Sequence, residues 1–203
     1  EMQRSLVGSE MCIRDSIQCR QFMKDFFERY YQKLGNIGIM RPLDESDRAM
    51  WSDNADPNEE WKVWKLIPST ATEQDVENLE KTIGTKLPQC LKAFLTVYHH
   101  YFDAPIGENP ISAPFEAVLD AWNPLLVKHG YLPFTWDEEG YYIRCIDLAN
   151  MPNEEQCGIY QIDHEILFSL DEDTTKRANI TQNMEYLSQN LFTYLESILN
   201  DEE

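Results

Sequence analysis

Residues 69–98 carry their own start and stop signals, and few folds can use them. Thr72 can accept a hydrogen bond from the backbone amide of Asp75, while Glu73 and Asp75 set negative charge at the positive end of the helix they open. Val76, Leu79 and Ile83 recur at three and four residues and so share one stripe, and Gly84 stands where a left-handed residue ends a helix. Pro88 suits the first turn of a second helix, where its missing amide hydrogen costs nothing, and Leu91, Phe94, Leu95 and Tyr98 line one side of it. Residues 61–68, ahead of both, read as a short strand. The pattern predicts a helical hairpin packed on a sheet.

The flanking sequence fits an α+β chain. Residues 17–34 place Phe22, Phe26, Phe27, Tyr30, Tyr31 and Leu34 at helical spacing, and Gly35 follows as a stop. Residues 36–60 are acidic and turn-rich, which predicts an ordered or semi-ordered loop. Residues 102–111 hold two prolines and a glycine and read as loop, with a brief strand near Ile111. A helix over 115–128 meets Pro124 in its interior, where proline costs about 3 kcal/mol, so it kinks or restarts there. From Leu132 the period becomes strand-like. Residues 132–136, 141–148, 158–163 and 166–170 read as a meander, with Gly140 in the first turn, and a last helix over 181–199 presents Leu187, Leu191, Tyr194, Leu195 and Ile198. The expected architecture is one α+β domain, its helices packed on a mainly antiparallel sheet.

The order of strand, capped helix and proline-started helix in residues 61–95 is followed by Leu132-Pro133-Phe134, Glu139-Gly140-Tyr141-Tyr142, Ile146-Asp147-Leu148 and Ile159-Tyr160-Gln161-Ile162-Asp163-His164-Glu165. Together they resemble the SMI1/KNR4, or SUKH, superfamily over roughly residues 61–199. The resemblance implies a bacterial immunity protein, which binds and silences a partner toxin without catalysis or cofactor. An added N-terminal helix also resembles the start of Syd, a SecY-interacting relative, which implies the alternative of a non-immunity scaffold or regulator. Two features depart from the family pattern: the longer N-terminus, and His99-His100-Tyr101-Phe102-Asp103 where members often carry a glycine-rich turn.

Residues 5–16 resemble translated sequencing adaptor, so residues 1–16 carry no expectation of fold; 17–60 form the N-terminal helix and acidic loop, and 61–200 the SMI1/KNR4-like domain. Net charge is −19; residues 1–16 contain three acids and two bases, leaving −18 on the remainder. Such a field repels phosphate backbones, which argues against direct nucleic-acid binding, and it attracts basic proteins. No run of about eighteen apolar residues spans a membrane, and no charged start precedes an apolar h-region, so the expected location is cytoplasmic. Cys19, Cys90, Cys145 and Cys157 lack Cys-x-x-Cys spacing and read as reduced core residues, although Cys145 and Cys157 fall on strands that can neighbour each other.

Catalysis finds little support in these residues. Asp163 with Glu165, or Asp137 with Glu139, would share a strand face, but nothing adjacent separates their pKa values as acid–base chemistry needs. His99, His100, His129 and His164 lack the convergence a metal requires, and no phosphate loop or Gly-x-Ser-x-Gly elbow occurs. Binding is the better fit. Trp136 beside Asp137, Glu138 and Glu139, with Asp147, Asp163, Glu165, Asp171, Glu172 and Asp173, would give an acidic surface with an aromatic anchor, suited to a basic cognate toxin, a nuclease or other nucleic-acid-modifying effector. The bland alternative is that Trp136 is core and the acids are an ordinary solvated face.

Overall fold

The computed structural model describes residues 2–43 and 45–200, with side chains over 16–35, 39–43 and 45–200. The adaptor-like stretch lies outside those side chains except for Ser16. Helix α1 (Met2–Gly38) leaves helical geometry at Gly35, where φ is 62° and ψ −175°, a region only glycine enters without strain. Cys19, Met23, Phe26 and Phe27 follow the 3.6-residue period and are all buried, so the aromatic face expected from the sequence is core.

Residues 36–60, expected as loop, are more structured than that. Strand β1 (Met40–Pro42) pairs antiparallel with β2 (Trp61–Val63), and a 3-10 turn covers Glu45–Met50 between them. The cause is a buried carboxylate: Asp47 accepts from the Ser112 amide at 2.9 Å, the Ser112 hydroxyl at 2.6 Å and the Tyr101 hydroxyl. Those partners lie more than fifty residues away, out of reach of any local pattern.

Strand β3 (Ile67–Pro68), helices α2 (Glu73–Ile83) and α3 (Gln89–Val97), and strand β4 (Tyr98–His99) come next, with β3 antiparallel to β4. Thr72 caps α2 as expected, and the box is reciprocal, because the Asp75 carboxylate accepts from the Thr72 amide at 2.8 Å. Gly84 ends α2 at φ 78°. Pro88 stands one residue outside α3 and has no side chain to cap it. The cap comes from Glu154, whose carboxylate accepts from the amides of Gln89 at 2.6 Å and Cys90 at 2.9 Å. Helix α3 packs chiefly against α1, through Phe94 and Tyr98 on Phe27, so the hairpin leans on the N-terminal helix more than on the large sheet.

Pro124 does restart its helix. Helix α4 (Glu116–Ala121) stops, Asn123 accepts from the amides of Leu125 and Leu126, and α5 (Pro124–Lys128) begins with proline at its first position. The large sheet then forms from β5 (Tyr131–Trp136), β6 (Tyr142–Asp147) and β7 (Ile159–Asp163). Two expectations fail beyond it. Residues 166–170 are not a strand: Asp163 accepts from the Glu165 amide at 2.7 Å and opens α6 (His164–Ser169). After α7 (Arg177–Thr181), the expected last helix begins late, because residues from Met184 form β8 (Met184–Ser188) on the free edge of β7. Asn190 then accepts from the Thr193 amide at 3.0 Å, and α8 (Leu191–Asn200) follows. The sheet order is β5-β6-β7-β8, antiparallel throughout.

Alternation along these strands gives the sheet two buried faces. Leu132, Phe134, Ile146 and Ile159 join the main core with α1, α3 and α8. Tyr131, Ile143, Cys145 and Ile162 meet Leu126, Leu167 and Ile180 from the helices on the other side. Cys19, Cys90, Cys145 and Cys157 are buried and in no disulfide, and burial pushes the Cys157 thiol up to about 11. Cys157 precedes β7 and is not on a strand, contrary to expectation.

His99 and His100, the family departure, sit inside the core. His99 Nε2 accepts from the Thr70 amide at 3.0 Å, which fixes the neutral ring with its proton on Nδ1, facing the Asn109 carbonyl at 3.1 Å. The His100 ring lies between Phe27 and Phe102, at 4.7 and 5.0 Å, and neither of its nitrogens has a partner. Burial, with neighbouring His99 second, pulls His100 down to about 3. Because the folded value lies below the usual 6.5, stability is full above about pH 6.5 and drains away as pH falls toward 3. Between pH 7 and 5 the loss is about 2 kcal/mol. His100→Leu should remove most of that loss, as urea unfolding at the two pH values will show; an unchanged difference would mean His100 is not the acid-sensitive group.

Candidate interaction surface

The ten residues expected to form one surface divide between the two ends of the sheet. Trp136, Glu138, Glu139, Asp163 and Glu165 lie at the β5–β6 turn and the end of β7, which meet through the Tyr142 and Asp163 register pair. Asp147 stands at the other end of β6, five strand steps and about 16 Å away. Asp171, Glu172 and Asp173 are exposed, and the Glu172 carbonyl accepts from Lys128, just ahead of β5.

Several of these acids are committed to the fold. Asp137 is only 6% exposed; its carboxylate accepts from the Tyr142 amide at 2.8 Å, closing the turn that Gly140 completes at φ 74°. It is therefore a turn residue and not part of an open surface, a correction to the sequence reading. Asp147 is neutralised by Arg177 through two contacts of 2.7 and 2.8 Å. Asp163 caps α6, so it and Glu165 do not share a strand face, as an acid–base pair would need. Asp171 accepts from the Thr174 hydroxyl and amide and from the Asp173 amide, which hold its carboxyl below the usual range. Glu138 pairs with Arg144 at 3.0 Å, and Arg144 also donates to the Tyr194 hydroxyl at 2.8 Å. Glu139 and Glu165 are exposed, with no ion-pair or side-chain hydrogen-bond partner among the described residues.

The sequence reading missed the aromatic part of this end. The His164 ring lies 5.9 Å from Trp136, 6.3 Å from Tyr141 and 5.7 Å from Phe168. His164 is held there by its own amide and by Nδ1, which both reach the Tyr141 carbonyl, at 3.0 and 2.8 Å. Tyr141 is 59% exposed and Phe168 63%, whereas Trp136 is half-buried. Phe168 joins this group only because residues 164–169 are helical, which brings positions i and i+4 together. Reading them as a strand hid the cluster.

The clefts point elsewhere. A groove of about 430 Å³ runs between α1, α2 and α3, lined by Arg20, Thr72, Glu73, Glu77, Lys92 and Thr96. None of the paired carboxylates lies in it. No group of three His, Cys, Asp or Glu side chains among the described residues is arranged to hold a metal ion, and no helix among them is long and apolar enough to cross a membrane.

A capped helix, a proline-led second helix, and a four-stranded antiparallel sheet covered on both faces define an α+β architecture. The family model for the SMI1/KNR4 family (SUKH-1) matches residues 70–197, and the chain belongs to that family. Comparison with curated proteins returned no match, and comparison with solved structures returned none.

Proposed function

We propose that this chain is a bacterial immunity protein that binds a cognate toxin in the cytoplasm and neutralises it by stoichiometric occlusion, with no cofactor and no reaction of its own. Membership of the SMI1/KNR4 family carries this reading. The charge of −19 supports a basic partner, and a toxin that acts on nucleic acid needs positive charge where it holds phosphate. The Syd-like alternative draws on the added N-terminal helix. That helix spends Met23, Phe26 and Phe27 on the core, so those side chains are not offered to a partner under either reading.

Co-expression with the toxin encoded beside this chain should restore growth, and the two proteins should elute as a complex of fixed stoichiometry. Co-purification with SecY and no protection against that toxin would sink the proposal. The contact acids are proposed to be Glu139 and Glu165 with Trp136, ahead of Glu138, Asp163, Asp171, Glu172 and Asp173. Glu139→Lys with Glu165→Lys should weaken toxin capture at unchanged Tm, whereas Asp137→Lys should lower Tm by breaking the turn.

A further inference from the structure

Resting on the reading that the chain binds a basic protein, we infer that Tyr141, His164 and Phe168 receive an arginine side chain of that partner, with Glu139 and Glu165 as its counter-charges. The three rings are contiguous, and the outer two are more than half exposed although each is large and apolar. Scattered exposed aromatics need no explanation; rings held in contact by a backbone-anchored histidine between them make a patch.

Charge complementarity selects the occupant. Residues 136–141 and 163–168 contain five carboxylates and neither lysine nor arginine. Asp137, Glu138 and Asp163 are engaged with the turn, Arg144 and the α6 cap, which leaves Glu139 and Glu165 to meet a cation. A phosphate-bearing ligand would be repelled by this end. Aromatic faces beside carboxylates favour guanidinium over ammonium, because the planar, weakly hydrated group stacks on a ring while its edge donates to oxygen. Lysine offers only a hydrated point charge.

The test titrates the full chain with hexa-arginine, hexa-lysine and hexa-glutamate peptides, followed by NMR. Hexa-arginine should shift Tyr141, His164 and Phe168 and bind about two- to fivefold more tightly than hexa-lysine, the scale of one exposed cation–π contact. Tyr141→Ala with Phe168→Ala should abolish that preference without lowering Tm, since both side chains are exposed, and Glu172→Lys with Asp173→Lys at the far end should leave it intact. Equal binding of the two cations, shifts spread over all acidic surfaces, or an unaltered preference in the ring variant would overturn the inference. Growth protection is scored separately. A ring variant that still protects fully against its toxin removes this surface from the interface and leaves the immunity reading standing; a wild-type chain that protects against no toxin removes the immunity reading instead.

Discussion

Asn109→Ala is expected to cost about 3–5 kcal/mol, lowering Tm by roughly 10 °C, although residue 109 lies in a segment the sequence marks only as loop. The side chain is buried and every polar atom is used. Its amide donates to the carbonyls of Leu95 and Tyr98, both at 3.0 Å, and its oxygen accepts from the Phe115 amide at 3.0 Å. The backbone of Asn109 exchanges two further hydrogen bonds with His100. One residue thus ties the end of α3 to β4 and to the start of α4. Alanine leaves two carbonyls and one amide buried without partners, at about 1–3 kcal/mol each before relaxation. Asn109→Asp keeps the shape but turns a carboxyl toward two carbonyls, so it should be no milder than alanine. Urea unfolding decides the matter: a near-wild-type midpoint for the aspartate variant would show that the donors are not what holds this junction.

Glu80→Leu is expected to cost about 2–4 kcal/mol at pH 7 and much less at pH 3. The Glu80 side chain is 3% exposed and accepts from Lys86 at 2.5 Å, Lys92 at 2.7 Å and the Leu87 amide at 3.0 Å. Burial opposes the charge, but the hydrogen bonds from Lys86, Lys92 and Leu87 outweigh it and hold the carboxyl at about 2. The folded value lies below the ordinary 4.5, so the stabilisation is present in full above about pH 4.5 and is lost as pH falls through 2. A shift of this size corresponds to about 3 kcal/mol, reduced somewhat because Lys86 is open to solvent. Glu80→Gln, which can still accept from Leu87, should be the milder variant. If the leucine variant differs from wild type by the same amount at pH 3 as at pH 7, the ion pairs contribute nothing and only packing was changed.

These two positions differ in how visible they were beforehand. Val76, Leu79 and Ile83 define the buried stripe of α2, and Glu80 follows Leu79 on that same side, so a careful helical projection would flag a carboxylate facing inward. Asn109 gave no such sign, since its partners at Leu95, Tyr98 and Phe115 come from three different elements. The same split runs through the interaction surface. Trp136 and the acids of the β5–β6 turn were legible as a group because they are adjacent in the chain. Tyr141, His164 and Phe168 were not, because their contact depends on the β6–β7 register and on Asp163 opening a helix. Residues 166–170 form a short apolar run that fits strand or helix equally by period, and the cap decides.

Sequence alone determined the local grammar: Thr72 with Asp75 opens a helix, Gly35 breaks one and Gly84 ends one, Pro124 restarts one, and Gly140 turns a hairpin. It also determined the surplus of acids, and with it the sign of the field a partner meets. Each of these follows from backbone stereochemistry or charge within a few residues. Tertiary structure alone decided which acids remain free, since Asp47, Asp137, Asp147, Asp163 and Glu154 are taken up by amides, hydroxyls and a guanidinium. It also put β8, rather than residues 166–170, beside β7. A carboxylate's fate rests on donors brought near by the fold, and a strand forms where a sheet offers an unpaired edge; neither is written in the spacing of neighbouring residues.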